Sequence, residues 1–134
     1  MRLRWKRSLF AGILVPIVAL LVITLVVTFF AFKLAFAVRG APDQAKISAL
    51  AASLARSAWL PLVVLLTFAA AFWAARPPGR AALVSGVIVG AIAAIPGVCL
   101  AGGLNARIAL GALAVLVAGW LGGALASRTR PQKA

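Results

Sequence analysis

The chain is nearly devoid of negative charge. Among its 134 residues Asp43 is the sole Asp or Glu, set against fourteen Lys and Arg, and there is no histidine. Without a carboxylate pair there is no basis for paired acid–base chemistry. Without histidine, no His-ligated haem, copper or zinc site can be built. Ser8, Ser48, Ser53, Ser57, Ser85 and Ser127 have no adjacent His or Asp to activate them, and nothing in the pattern supports a Lys46–Ser48 pair. The expectation is therefore a protein that is not an enzyme and has no catalytic residues, cofactor or metal. The single cysteine, Cys99, has no internal disulfide partner and says nothing about redox compartment.

Charge of either sign is scarce as well. Charged residues make up 11% of the chain, where a soluble domain carries about 25%. Hydrophobic residues make up 65%, and the mean hydropathy is +1.14. Such a chain has too little polar surface to cover itself in water. The net charge of +13 would point to nucleic acid in a soluble protein, but here the basic residues flank apolar runs. Anionic lipid headgroups are the expected partner, and nucleic acid is not.

Four apolar runs approach the roughly 20 residues that a spanning helix needs: about 8–32, 59–75, 81–103 and 108–126. Backbone groups in lipid must bond within their own segment, and the runs lack the alternation of a membrane barrel. The expected fold is an all-α integral membrane protein, a single transmembrane domain over 1–134 with four helices. The first run begins with "RLRWKR" and is followed by the triplet Ala35-Phe36-Ala37, as in a signal peptide. Its core exceeds the roughly 7–15 residues of such a segment, so it is read as a retained span.

The flanks set the expected orientation. Arg2, Arg4, Lys6, Arg7, Arg76, Arg80, Arg128, Arg130 and Lys133 would share one side, and Lys33, Arg39, Lys46, Arg56 and Arg107 the other. The larger group places both termini in the cytoplasm. All of the first group but Lys133 are candidate lipid-headgroup contacts. Trp5, Trp59 and Trp73 fall near the expected interfaces.

Between the first two spans, residues 33–58 are too long for a hairpin turn. Asp43 is a candidate helix N-cap, because its carboxylate can accept first-turn amide hydrogens. Behind it Ile47, Leu50 and Leu54 recur at helical spacing. Two placements follow: an amphipathic external helix lying on the membrane or a partner, or an extension of the second span bent at Pro61. The former is preferred, since an apolar stripe outside the hydrocarbon needs cover.

Small residues mark packing in lipid. Gly86 and Gly90, extended by Ala94, and Gly119 and Gly123 are the candidate helix-packing positions. Packing of the last two spans on each other is the simpler reading, and an oligomeric contact the alternative. Pro16 and Pro96 lie inside spans and read as static kinks. Thr24 and Thr28 share a face and are expected to bond back to their own helix.

The segments "AAFWAARPPGRAALVSGVIVG" (Ala70 to Gly90) and "GWLGGALASR" (Gly119 to Arg128) resemble small uncharacterised four-helix bacterial inner-membrane proteins. That resemblance implies a four-span topology and no particular activity. The first span lacks the glutamate of the small multidrug transporters. With no ionisable group deep in any span, the expected role is a structural or accessory subunit, or an assembly factor, of a larger bacterial inner-membrane complex, with energy-converting complexes among the candidates. Its expected partners are other integral membrane subunits. The alternative is a small homo-oligomeric channel, holin-like pore or transporter protomer lined by Thr24, Thr28, Thr67, Ser85 and backbone near Pro96.

Overall fold

The computed structural model describes residues 5–41, 43–75, 80–100, 102–103 and 105–129. Among the described residues every regular element is helical: α1 (Trp5–Val38), α2 (Gln44–Ser57), α3 (Trp59–Ala74), α4 (Arg80–Leu100) and α5 (Ala106–Thr129). Three of them, α1, α4 and α5, are each long and apolar enough to cross a membrane. Helix α3 has 16 residues, or roughly 24 Å at about 1.5 Å per residue, which is short of a hydrocarbon core of about 30 Å. A fourth crossing requires α2 and α3 to be taken together as one bent unit.

Helices α3 and α4 pack on each other at the centre. Helix α1 lies against both on one side and α5 against both on the other, while among the described residues the α1 and α5 backbones do not come close to each other. The core is made of small side chains. Val15, Ala19, Val63, Ala93 and Val115 form one cluster, and Ala11, Ala71, Ala74 and Val89 another. Alanine and glycine surfaces let helix axes approach closely, so many weak dispersion contacts accumulate.

The first helix does not stop where the sequence pattern placed its end. It runs through Lys33 to Val38, because the apolar run resumes as Leu34 to Val38 and one long side chain can lie along the helix without breaking it. The Lys33 ammonium nitrogen sits 5.8 Å from the centroid of the Phe29 ring. The helix ends where Arg39 takes a positive φ of 49°, followed by Gly40. The connection to α2 is therefore a short turn rather than a long loop.

Helices α2 and α3 meet at a 51° bend around Ala58, which caps both. Pro61 causes it from three residues away. It has no amide hydrogen for the Ser57 carbonyl, and its ring would clash with that oxygen in a continuous helix. Pro61 itself sits in the first turn of α3, where a missing donor costs little. Pro16 and Pro96, by contrast, lie inside α1 and α4, which continue through them.

Candidate functional site

The glycines of α4 and α5 face each other. A Cβ on Gly119 would lie 2.5 Å from the Gly86 carbonyl oxygen and 3.0 Å from the Gly90 Cα. A Cβ on Gly90 would lie 3.0 Å from the Val115 oxygen, and one on Gly123 2.7 Å from the Ala82 oxygen. A Cβ on Gly86 would meet the Gly119 oxygen. No side chain fits between these backbones, so the stripe is occupied within the chain. An adjoining face of α5 does the same with α3, where a Cβ on Gly122 would sit 2.6 Å from the Phe68 oxygen. Ala94 packs against the core cluster around Ala93 and Val115.

At the end of the bundle that holds the chain termini, the Arg7 guanidinium carbon lies 4.0 Å from the centroid of the Trp73 ring. A cation over an indole face is attracted by the ring quadrupole, more strongly where water is scarce. Lys6, Arg80 and Arg128 are exposed at the same end. Arg2, Arg4, Arg76 and Arg130 lie outside the described residues, as do Pro77, Pro78 and Gly79. The side chain of Trp5 is likewise outside the description. Trp59 lies at the opposite end, where α3 begins.

Helices α1 and α4 run parallel, with Ala11 beside Val89 and with Val15 and Ala19 beside Ala93. Gly12 is level with Ile92, whose Cβ would be 2.8 Å from a Cβ on the glycine. At equal rise, α1 passes the last residue of α4, Leu100, near Leu20 and continues to Val38, roughly 25 Å farther at about 1.5 Å per residue. Along that stretch Leu25, Phe29, Phe32 and Phe36 are 61%, 67%, 63% and 75% exposed. They are large apolar groups on a helix that has outrun the bundle.

Among the described residues, α2 is the element that accompanies this segment. It contacts α1 and α3, and Ile47, Leu50 and Leu54 are half-buried on the stripe by which it does so. None of its residues is fully buried. Asp43 Oδ1 accepts from the Ala45 amide at 3.0 Å, which makes it the N-cap of α2. Since Asn caps equally well, Asp43→Asn should leave thermal stability within about 0.5 kcal/mol, whereas Asp43→Ala should cost about 1 kcal/mol. Melting curves of the three proteins read this directly, and a large loss for Asp43→Asn would mean the carboxylate does more than cap.

The hydroxyls expected to line a pore bond within their own helix or lie buried. Thr24 donates to the Leu20 carbonyl and Thr28 to the Thr24 carbonyl, each at 2.8 Å. Ser8, Thr67 and Ser85 are buried inside the single chain, and Thr67 Oγ1 has no hydrogen-bond partner. Among the described residues no group of His, Cys, Asp and Glu could hold a metal ion.

One feature escaped the sequence reading. A cleft of about 380 Å³ opens where α3 and α5 begin and α4 ends. Trp59, Val63, Ala94, Val98, Ile108 and Ala112 contribute apolar walls, and the charged residues on it are Arg56 and Arg107. Fifty-one positions separate these arginines, so no local pattern could pair them; the basic residues on this flank were the only signal.

No family model, curated protein or solved structure matches this chain.

Proposed function

We propose that this chain is a non-catalytic accessory subunit or assembly factor of a larger complex in the bacterial inner membrane. It has four spans with both termini in the cytoplasm, one of them made by α3 with the last turn of α2 as a single bent unit, and the arm made by the outer half of α1 with the rest of α2 meets the partner. The observation that carries this reading is the length and exposure of the arm. Helix α1 has 34 residues, or about 51 Å, against a hydrocarbon core of about 30 Å. With α4 and α5 spanning the bilayer, Phe29 to Val38 stand outside it. Apolar surface of that extent in water calls for cover, and α2 supplies it on one face only.

The orientation follows from the basic flanks, and α2 then lies on the outer side. A pore draws less support. Thr24 and Thr28 bond to their own helix, and Thr67 and Ser85 are inside one chain instead of on a face another copy could complete.

The test is copurification of the tagged full chain in mild detergent, combined with a photo-crosslinker placed at Phe36 or at Leu113 on the bundle. A stoichiometric membrane protein should crosslink at Phe36 and not at Leu113. A lone monomer with no crosslinked product would refute the proposal.

A further inference from the structure

We infer that the cleft between α3, α4 and α5 is a binding site for one anionic phospholipid, its phosphate held by Arg56 and Arg107 and an acyl chain lying among the apolar walls. Two kinds of observation converge. The first is shape and lining. At about 380 Å³ the cleft falls in the range of roughly 300–1,000 Å³ typical of small-molecule sites, which combine apolar walls with a few placed polar groups. Its depth is kept open by small residues. Ala93, Ala94, Gly97, Gly111 and Ala112 line it, and a Cβ added at Gly97 would meet nothing within 4 Å.

The second is charge. Arg56 lies in the last turn of α2 and Arg107 in the first turn of α5, so both guanidinium groups belong to the end of the bundle at which the cleft opens. The chain has one acidic side chain, Asp43, and it is engaged as the N-cap at the far end of α2, roughly 20 Å along the helix. No carboxylate side chain of this protein is placed to neutralise the pair. Arg56 uses Nε for the Ala52 carbonyl at 3.3 Å, which leaves the other guanidinium donors for a ligand. The planar guanidinium fork matches phosphate oxygens. Trp59, on the cleft wall, is suited to the boundary between headgroup and acyl chain. A free anion would satisfy the arginines and leave the apolar interior empty; a neutral lipid would fill the interior and leave the arginines unmatched. An anionic phospholipid does both.

Native mass spectrometry of the full chain in detergent tests this with three probes: phosphatidylglycerol, phosphatidylcholine and inorganic phosphate. One phosphatidylglycerol should be retained in preference to phosphatidylcholine, and inorganic phosphate should not displace it at equal concentration. Arg56→Gln with Arg107→Gln should weaken retention at least about tenfold, as expected for loss of charge-assisted hydrogen bonds. Removing two charges that do not line the cleft, with Lys33→Gln and Lys46→Gln, should leave it unchanged. Gly97→Leu, which keeps every charge but projects into the cleft, should also reduce it. Helicity and melting temperature of each variant confirm that it is folded. Equal retention of the two lipids, displacement by inorganic phosphate, or equal loss from the two double variants would overturn the inference. None of these outcomes depends on whether a protein partner binds the arm.

Discussion

Gly119→Leu is expected to separate α4 from α5 and to lower the stability of the chain by about 3 kcal/mol or more. The first added carbon would sit 2.5 Å from the Gly86 carbonyl oxygen, and the neighbour in its way is backbone. A flexible side chain could swing aside; a helix carbonyl cannot without shifting the whole helix. The damage should spread, because α5 also packs on α3 through Gly122, so a displaced α5 loses both partners. Gly97→Ala provides the contrast, since its added carbon meets nothing within 4 Å, and it should change stability by under about 0.5 kcal/mol. Thermal melts in detergent, followed by circular dichroism, compare the two. Similar melting temperatures for Gly119→Leu and the unaltered protein would mean that the α4–α5 contact is not the close one described.

The second large effect should fall on association and spare the fold. Phe29→Asn combined with Phe36→Asn should reduce recovery of the protein partner more than tenfold, about 1.4 kcal/mol or more, with the melting temperature of the isolated chain nearly unchanged. Both side chains are mostly exposed, at 67% and 75%, and neither belongs to a core cluster. Their substitution removes apolar area from the arm without opening a cavity in the bundle. Full recovery of the partner by this variant would move the contact elsewhere. A collapse in melting temperature would show that the arm is part of the bundle after all.

These two variants probe features that were legible to different degrees. The glycines stand out in the sequence as GVIVG and GWLGG, because small residues four apart fall on one face of a helix. Their spacing could not say whether that face meets another part of the chain or another molecule. The connection from α4 to α5 covers only positions 101 to 105, too few to carry α5 away from α4, yet the pairing of Gly86 with Gly119 needs a register that only packing fixes. The arm was harder to see. Lys33 reads as the end of a span, so the apolar residues after it were taken into a loop. What ends the helix is backbone conformation at Arg39, and a single residue's φ leaves no pattern in hydropathy. Likewise Pro61 marked a break near the start of α3, but the bend appears at Ala58, because a proline disturbs the carbonyl four residues before it.

The sequence by itself determined that the chain is helical, that several of its helices are apolar enough to cross a membrane, that Asp43 opens a helix, and that the chain holds one acidic side chain and no histidine. Those are properties of composition and short-range periodicity, and they hold whatever the helices touch. The tertiary structure decided which glycine faces are used up inside the chain, how far α1 outruns α4, and that Arg56 and Arg107 flank one apolar cleft. These depend on register and relative position between helices far apart in the chain. In a bundle held by close backbone approach, register is chosen by where small residues on two helices coincide. That coincidence is a property of pairs of helices, which a single apolar run does not carry.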